Sequence, residues 1–406
     1  MGNKPRIRFK GFTEDWEQRK LDELTMFIGD GLHGTPKYDE NGSYYFINGN
    51  NLVDNKVSVT EETKKVAFEA LGNDDRRLDS TAILMSINGT IGTLARYNNE
   101  NIMLGKSVAY ITPKNINRDF LFYQLQGNVI QSYFYKNLTG TTIKNLGLGT
   151  IKNTIVMSTL SEEESTIGRF FYKLDQYITL HQCKLEKLKL TKKALLQKLF
   201  PKNGKHIPEI RFKGFTDAWE QRKLGDIATF SKGNGYSKSD LAPSGEPIIL
   251  YGRLYTNYET TISNVDTFVE LKDKSVISQG GEVIVPASGE TAEDISRASV
   301  VKNQGIILGG DLNVIKVNHL LDPTFLALTI SNGEQQKELS KRAQGKSVVH
   351  LHNSDLQEVN LTFPMLTEQK EISSLFEKMD SVITLHQRKL ERLQEVKKGL
   401  LQKMFV

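Results

Sequence analysis

The sequence predicts an α+β protein in which two mixed α/β domains form a pseudo-two-fold repeat and two long helices pair with each other. Three observations lead to this fold class. A heptad-patterned stretch occurs twice in the 406 residues, and a short aromatic signature opens each half. Between each signature and its heptad stretch lie short β-rich runs with Gly-rich turns.

The heptad stretch occupies residues 161–200 and returns at 367–406. His386 follows His181 by 205 residues, and each lies in the same Ile-Thr-Leu-His-Gln run. Steps that alternate between three and four bury one seam of a helix against a single partner, so we expect an intramolecular helix pair. The predicted seam consists of Phe171, Leu174, Ile178, His181, Leu185, Leu188 and Leu195 in the first helix and of Phe376, Met379, Ile383, His386, Leu390, Leu393 and Leu400 in the second.

Polar residues interrupt both seams at equivalent positions. One pair is His181 and His386, and the other is Lys192 and Lys397. Polar seam residues fix the register and orientation of a helix pair at a cost in stability, and we predict that role here. A metal site or a catalytic histidine is the alternative, but no Cys or acidic partner stands at matching spacing.

The aromatic signature reads Arg8 to Thr13 followed by Trp16 to Leu21, and it returns 203 residues later with Trp219. The only two tryptophans of the chain therefore occupy equivalent places. The simplest interpretation is that this cluster packs the entry of each domain onto the base of a long helix. A docking surface for another subunit is the alternative.

The repeats set the predicted domain boundaries. The first α/β domain covers 1–160, the central heptad helix 161–200, a linker 201–208, the second α/β domain 209–366 and the C-terminal heptad helix 367–406. Two prolines and a glycine in the linker end the first helix. Ser161 and Glu164 have the spacing of a capping box. Strands are predicted near 44–48, 82–87, 108–112, 248–251, 282–285 and 314–317, and short helices near 120–131 and 323–339.

Composition narrows the class of protein. The net charge of +5 permits a nucleic-acid partner without requiring one. Cys183 is the only cysteine, so no internal disulfide is possible. No secretory pattern opens the chain, and no apolar run approaches the roughly 20 residues that cross a membrane. We therefore expect a cytoplasmic protein without a membrane partner.

The stretches between signature and helix, residues 24–160 and 227–366, hardly resemble each other, and we call them the first and second inserts. Taken together, the paired aromatic openings, the dissimilar inserts and the repeated Leu-His-Gln to Leu-Leu-Gln-Lys helices resemble the specificity (S) subunit of type I restriction-modification systems. The resemblance covers essentially the whole chain. It implies two target recognition domains separated by an antiparallel coiled coil, each reading one half of a split, asymmetric double-stranded DNA site. It also implies a frame that binds two methyltransferase (modification) subunits, which restriction subunits join. The loops at Asp30 to Pro36 and Ser231 to Tyr236 resemble the Gly-rich early loop of the family.

Motifs for catalysis were not found in the sequence. No Asn-Pro-Pro-Tyr-like run for methyl transfer is present, and Gly105-Lys106-Ser107 and Gly345-Lys346-Ser347 lack the earlier glycine of a phosphate-binding loop. We therefore expect a non-catalytic chain with no cofactor and no metal of its own. The resemblance places S-adenosylmethionine, ATP and Mg in the partner subunits.

DNA reading requires side chains with hydrogen-bond donors and acceptors on exposed loops, with Lys and Arg nearby for phosphates. In the first insert this criterion selects His33, Thr35, Lys37, Tyr38, Asn48, Asn50, Asn88, Thr90, Lys106, Thr142 and Lys144. In the second it selects Lys232, Asn234, Tyr236, Lys238, Arg253, Tyr255, Ser288, Glu290, Arg297, Lys346, Ser347, His350 and His352.

Two other classes of function remain open at this stage. A self-sufficient DNA enzyme is disfavoured by the missing catalytic motifs. A coiled-coil scaffold that does not bind DNA is compatible with the heptads, but it leaves the two divergent inserts, rich in Gly, Asn and Lys, without a role.

Overall fold

The structure, a computed structural model, describes residues 4–72, 75, 78–202, 204–343 and 348–405. The chain forms two compact units. Unit 1 contains residues 1–182 and 388–406, and unit 2 contains residues 183–387. Each of the long helices, Ser161–Lys198 and Leu366–Met404, is divided between the two units, with one segment in unit 1 and the other in unit 2.

Unit 1 holds the first insert, a mixed α/β fold. Its strands are β1 (Glu17–Lys20), β2 (Thr25–Asp30), β3 (Tyr44–Ile47), β4 (Leu52–Val53), β5 (Lys56–Val57), β6 (Lys65–Val66), β7 (Ile83–Ser86), β8 (Leu94–Arg96), β9 (Ile102–Leu104), β10 (Val108–Pro113) and β11 (Ile155–Ser158). Its helices are α1 (Arg118–Leu125), α2 (Asn128–Lys136), α3 (Leu148–Lys152) and the start of α4 (Ser161–Lys198), with 3₁₀ turns at Leu21–Leu24, Gly49–Asn51 and Phe68–Ala70. The sheets have the orders β2-β10-β7-β8-β5-β4, β6-β3-β9 and β1-β11.

Unit 2 holds the second insert. Its strands are β12 (Glu220–Lys223), β13 (Ala228–Lys232), β14 (Leu241–Ala242), β15 (Glu246–Ile249), β16 (Thr261–Ile262), β17 (Phe268–Val269), β18 (Ile277–Gln279), β19 (Glu282–Pro286), β20 (Ser288–Gly289), β21 (Ser299–Val301), β22 (Gln304–Leu308), β23 (Leu312–Val317), β24 (Val349–His350) and β25 (Asn360–Phe363). Its helices are α5 (Leu224–Ile227), α6 (Arg253–Thr256), α7 (Ala292–Ile295), α8 (Pro323–Ile330), α9 (Gly333–Arg342), α10 (Asn353–Gln357) and the start of α11 (Leu366–Met404), with a 3₁₀ turn at Lys238–Asp240.

The six predicted strands are present as β3, β7, β10, β15, β19 and β23. The two predicted short helices are each divided in two. Gly127 adopts an extended conformation as the N-cap of α2, and Gly333, with φ +70°, breaks the second pattern between α8 and α9. Gly333 suits its position because glycine has no Cβ to penalise a positive φ.

The two inserts share one topology despite their dissimilar sequences. The order β2-β10-β7-β8 in unit 1 corresponds to β13-β23-β19-β21 in unit 2, and every neighbour in both series is antiparallel. The central strands β7 and β19 are buried along their whole length, which explains the apolar runs Ile83 to Met85 and Val283 to Val285 within them. A helix packs against the sheet in each unit. In unit 1 it is α1, whose N-cap is Asn117, and in unit 2 it is α8, whose N-cap is Asp322.

The aromatic signature packs onto the base of the long helices, as predicted. In unit 1, Trp16 lies edge-on to Phe120 at 5.4 Å and to Phe405 at 6.3 Å between ring centroids. In unit 2, Trp219 makes the same contacts with Phe325 at 5.7 Å and Phe200 at 6.1 Å. Both tryptophans are buried. A structural role therefore replaces the docking-surface alternative for these rings.

A buried ion pair accompanies each tryptophan. Arg8 donates to both carboxylate oxygens of Glu163 at 2.6 and 2.7 Å, and Trp16 Nε1 donates to the same carboxylate at 3.1 Å. Burial alone raises the pKa of Glu163, but the hydrogen bonds from Arg8, Thr159 and Trp16 and the charge of Arg8 bring it below its ordinary value. The equivalent pair, Arg211 with Glu368, repeats the two-bond geometry at 2.7 Å.

The capping-box prediction at the start of α4 is wrong. Glu164 does not serve Ser161, because its carboxylate accepts from the backbone N–H groups of Asn117 at 2.8 Å and Thr159 at 3.1 Å. Burial raises the pKa of Glu164 and these hydrogen bonds oppose the rise. In the second half of the chain, Gln369 is the residue equivalent to Glu164, and Pro364 is the residue equivalent to Thr159. Since proline has no N–H, Gln369 instead donates its amide to the Pro364 carbonyl at 2.8 Å.

The helix segments pair antiparallel within each unit. In unit 1, Phe171 stacks on Phe405 at 5.8 Å, and one turn later Asp175 binds Lys397 at 2.7 Å. The partner number falls as the first number rises, which defines an antiparallel pair. Unit 2 repeats the pattern with Phe376 against Phe200 and Asp380 against Lys192 at 2.5 Å.

The predicted seam residues are all buried or half-buried. The two seam lysines fit the predicted structural role, because each forms an ion pair with an aspartate of the opposing helix segment. Among the described residues, no cluster of His, Cys, Asp and Glu is placed to share a metal ion, which leaves the metal alternative at the seam histidines without support. No helix in the described part of the chain combines the length and hydropathy of a membrane span.

Candidate nucleic-acid interface

One edge of the sheet in unit 1 collects most of the loops that were selected from the sequence. β10 is antiparallel to both β2 and β7, so the start of β10 and the ends of β2 and β7 lie at the same edge. The parallel strands β3 and β9 also end side by side, at Ile47 and Leu104. We call this the loop edge of unit 1, formed by residues 30–38, 47–51, 86–92, 104–108 and 139–146.

Backbone hydrogen bonds hold these loops to one another. Leu32 N–H donates to Leu104 O at 2.8 Å and Gly105 N–H to Ile47 O at 2.8 Å. Ile87 joins two further loops, since its N–H donates to Ser107 O and its carbonyl accepts from Leu146 N–H, both at 2.9 Å. The loops therefore form a connected surface with a defined shape.

Unit 2 repeats this loop edge bond for bond. Asn234 N–H donates to Leu308 O at 3.1 Å and Gly309 N–H to Ile249 O at 3.0 Å. Ala287 takes the place of Ile87, because it donates to Asp311 O at 2.7 Å and accepts from Leu351 N–H at 3.0 Å. The loop edge of unit 2 comprises residues 232–238, 249–253, 286–291, 308–312 and 348–352.

One glycine in each Gly-rich early loop, at residues 30–36 and 231–236, is required by a close backbone contact. A Cβ on Gly31 would lie 2.1 Å from Leu104 O, and a Cβ on Gly233 would lie 1.9 Å from Gly309 O. Both distances are far below van der Waals contact with a backbone atom. Only glycine therefore lets the early loop approach the neighbouring strand end closely enough for these hydrogen bonds.

Most of the selected residues of the first insert lie exposed on the loop edge of unit 1. His33 is exposed and its Nε2 lies 2.7 Å from the Asp30 carboxylate. Asn48 and Asn88 are half-buried instead of exposed: Asn48 Oδ1 accepts from Ser107 Oγ at 3.1 Å, and Asn88 Oδ1 is enclosed without a hydrogen-bond partner among the described residues. The exposed members are His33, Thr35, Lys37, Tyr38, Asn50, Thr90, Lys106, Thr142 and Lys144.

In the second insert the exposed selected residues are Lys232, Asn234, Lys238, Glu290, His350 and His352. Asn234 Nδ2 donates to Lys274 O at 2.9 Å, and the Tyr236 hydroxyl lies 2.6 Å from Ser275 Oγ and accepts from Lys272 N–H at 2.7 Å. Tyr236 therefore anchors its loop rather than standing free. The selected Lys346 and Ser347 lie outside the described residues.

Four selected residues of the second insert have partners inside their own domain. The Arg253 side chain is 12% exposed and binds Glu259 at 2.8 Å and Asp266 at 2.9 Å. Ser288 is buried and its hydroxyl lies 3.2 Å from His350 Nδ1. These contacts give Arg253 and Ser288 structural roles in holding loops. The other two selected residues, Arg297 and Tyr255, also have internal contacts. Arg297 lies over the Tyr258 ring and near Asp294, and Tyr255 packs on Tyr251, with burial raising its pKa to about 12.

Sequence reasoning missed two residues at these edges. Ile143 is 72% exposed and Val348 is 49% exposed, and they lie 205 residues apart in equivalent loops. The search for hydrogen-bonding side chains passed over them because they are apolar. The signal that identifies them is the shared offset, which the two loops have in common with the helices.

The edges are suited to a polyanion rather than to catalysis. Lys37, Lys106 and Lys144 are exposed on the first edge, and Lys232 and Lys238 on the second. Lys272 of unit 2 adds little to this charge because it is paired with Asp240, and its hydrogen bond is the main cause that lowers the pKa of Asp240 to about 2. Loops rich in amide, hydroxyl and ammonium groups on a rigid sheet can bind phosphates and base edges.

Comparisons with known proteins identify the same family in both halves of the chain. The family model for the type I restriction modification DNA specificity domain matches residues 13–190 and again 216–395. One relative is the type I restriction enzyme MjaVIII specificity subunit of Methanocaldococcus jannaschii, 20% identical over 96% of this chain and 91% of the relative. The putative type I restriction enzyme MjaX specificity subunit of the same organism is 24% identical over 96% of this chain and 92% of its own length.

Two solved structures have the same fold. A type I restriction-modification system S subunit from M. genitalium matches with a TM-score of 0.67 and 14% identity, and 99% of each chain is covered. A structure that describes complex assembly and conformational transition of the type I R-M system matches with a TM-score of 0.50 and 15% identity over 95% of this chain and 96% of the other.

Proposed function

Since this chain belongs to the type I restriction-modification DNA specificity family and is a specificity subunit, we propose that each loop edge binds one half of a split double-stranded DNA site. Specificity subunits are non-catalytic. This chain accordingly supplies recognition, and the modification and restriction chemistry belongs to its partners.

The observation that carries the proposal is the shared loop edge with unlike loops. The hydrogen bonds around Ile87 are repeated around Ala287, and Gly31 has its counterpart in Gly233. The side chains displayed between these fixed points differ between the units. Two equal frames with different displays support two unlike half-sites, and hence an asymmetric site with unread bases between the halves.

Phosphate contacts would come from the exposed lysines. Lys37, Lys106 and Lys144 in unit 1 and Lys232 and Lys238 in unit 2 flank the amide, hydroxyl and imidazole side chains of the same loops. Such cations position the duplex without reading its sequence, and each phosphate that they neutralise releases counterions. Binding should therefore weaken steeply as salt is added.

The long helices provide a repeated surface for two modification subunits. On the outer face of α4, Tyr177 is 59% and Leu180 is 47% exposed, and the equivalent Val382 and Leu385 of α11 are 40% and 64% exposed. Each pair is spaced i, i+3, which places both side chains on one helix face. One apolar pair in each unit suits two copies of the same partner, with restriction subunits joining that assembly.

Cofactors follow from this division of labour. We place S-adenosylmethionine in the modification subunits and ATP with Mg in the restriction subunits, and none in this chain. Without its partners the purified chain should therefore show neither methyl transfer nor DNA cleavage when these molecules are added.

The test is to express the chain with a modification subunit and to map methylated bases across a genome. The expected result is a split motif with two unlike halves and a spacer of unread bases. A continuous motif contradicts the proposal. Binding of that complex to the mapped duplex is then measured from low to high salt, and an affinity independent of salt would favour a scaffold that does not bind DNA.

A further inference from the structure

Two exposed β-branched residues stand at equivalent places on the two loop edges. Ile143 is 72% exposed, the largest value among the large apolar side chains of the described residues, and Val348 is 49% exposed. A single exposed apolar side chain is ordinary on a protein surface. Here the feature recurs after 205 residues in two inserts that otherwise share little sequence. A common role is therefore a better explanation than chance exposure.

The backbone around Ile143 is fixed. Thr139 and Asn145 exchange two backbone hydrogen bonds, both of 2.9 Å, which close the loop between them. Gly140, with φ +86°, packs against the Ile143 carbonyl, and a Cβ there would lie 2.2 Å from that oxygen. The loop is therefore tight, and its backbone loses little further freedom when the exposed side chain is covered.

The same loop is tied to the centre of the edge. Asn145 bridges to Asn88, and Leu146 N–H donates to Ile87 O at 2.9 Å, next to the loop that carries Lys106. In unit 2 the strand after Val348 pairs with Ser288–Gly289, and Leu351 N–H donates to Ala287 O at 3.0 Å. Both apolar side chains are thus parts of the candidate DNA surface and not of a separate patch.

The surroundings indicate the chemistry of the group that covers Ile143. Thr142 and Lys144 flank it in sequence and are exposed, so a hydroxyl and a cation stand beside the methyl groups. A partner that offers phosphates, hydrogen-bonding edges and an apolar methyl group together is the major groove of DNA at an A·T pair. The C5 methyl of thymine is the apolar group available there.

We propose that Ile143 and Val348 each contact a thymine methyl group in the half-site that their own unit binds. The proposal rests on the proposed function and adds to it the base feature that each residue reads. Insertion between base pairs is less favoured for Val348, because valine is shorter than the Phe, Leu, Ile and Met side chains that wedge into DNA. For Ile143, a measurement of DNA bending separates an inserted wedge from a methyl contact.

The test removes the methyl group from the DNA and its contact from the protein. The chain in complex with a modification subunit is titrated with the mapped duplex and with duplexes in which each thymine of the half-sites is replaced by uracil. The same titrations are made with Ile143→Ala and Val348→Ala. Leu190→Ala, which truncates an apolar side chain that is 67% exposed on α4, is the control.

In each half-site, replacement of one particular thymine by uracil should weaken binding of the parent complex about fourfold, the loss expected for one buried methyl group. In Ile143→Ala the penalty should disappear at the first half-site and persist at the second. Val348→Ala should give the reverse, and Leu190→Ala should keep both penalties.

Three results would overturn the inference while leaving the proposed function intact. One is the absence of any uracil penalty, and another is a penalty that survives in both alanine variants. The third is a change in DNA bending in the variants without a uracil effect, which would identify an inserted wedge. If the complex shows no preference for the mapped duplex over unrelated DNA, the proposed function itself fails, and this inference with it.

Discussion

The ion pair between Asp175 and Lys397 is the polar centre of the helix pair in unit 1, and its removal gives the sharpest test of that pairing. The Asp175 and Lys397 side chains are 13% and 15% exposed, and the Asp175 carboxylate lies 2.7 Å from Lys397 Nζ. The same carboxylate accepts from Tyr123 Oη at 2.6 Å and Asn55 Nδ2 at 3.0 Å. Asp175→Asn leaves the buried lysine charge without its counter-ion.

The size of the effect follows from burial. Breaking a buried ion pair by neutralising one partner costs about 3–5 kcal/mol, and we expect about 3 kcal/mol for Asp175→Asn because the lysine retains some access to water. The matched control is Asp380→Asn in unit 2. Asp380 is 32% exposed and Lys192 is 19% exposed, so solvent screening reduces the expected cost to about 1 kcal/mol.

Hydrogen exchange of the intact chain is the appropriate assay, because each unit can open separately and a single unfolding free energy is then ill defined. Amides of residues 161–182 should lose protection in Asp175→Asn, and amides of residues 366–382 should change less in Asp380→Asn. Adding Lys397→Met to Asp175→Asn should restore part of the protection, because it removes the unpaired charge. Equal effects of the two single variants, or additive effects in the double variant, would refute the assignment.

Three further predictions concern the frames and the loop edges. In the same hydrogen-exchange assay, Trp16→Phe should lower the protection of unit 1 more than Trp219→Phe lowers that of unit 2. Trp16 Nε1 donates to Glu163, whereas Trp219 Nε1 has no partner among the described residues, so the two losses of opening free energy should differ by about 1–3 kcal/mol. Equal losses would contradict this prediction. Burial raises the pKa of Glu164 in the folded protein, so the protonated carboxyl is favoured there. The stability that this shift contributes is complete below about pH 4.3, the pKa of Glu in the unfolded chain, and is lost as pH rises through the raised pKa of the folded state. Unit 1 of Glu164→Gln should therefore gain stability relative to unit 1 of the parent chain across that window, measured by hydrogen exchange at several pH values, and a difference independent of pH would count against it. Gly31→Ala should abolish reading of the first half-site in methylation maps and Gly233→Ala that of the second, because either Cβ would collide with a backbone oxygen; maps unchanged by both variants would show that the loop edges do not read DNA.

The features that the sequence predicted well are those with a period or a repeat. The heptad spacing of Ile178 and Leu185 identified the seam, and the equivalent tryptophans identified the base of each helix. The ion pair of Arg8 with Glu163 was missed, because 155 residues separate the partners and no local pattern relates them. The common topology of the inserts was missed for a related reason. It depends on backbone pairing such as β10 with β2, which many different sequences can form.

Individual site residues were harder to predict than the loops that carry them. Arg253 satisfies the sequence criterion for a phosphate contact, but Glu259 and Asp266 neutralise it within its own domain. Residue type alone could not reveal that, because the acidic partners come from a neighbouring loop. Ile143 shows the opposite error, since its chemistry argued against selection while its position places it at the loop edge.

If each insert reads its own half-site on a shared framework of helices and sheet, the specificity of one insert should be transferable to the other position. This expectation is tested most directly by replacing residues 24–160 with a second copy of residues 227–366 and mapping methylation by the altered chain with a modification subunit. The half-site of the first insert should disappear, and the site should consist of two copies of the half-site read by the second insert. A folded, active complex that still methylates the original asymmetric site would contradict it.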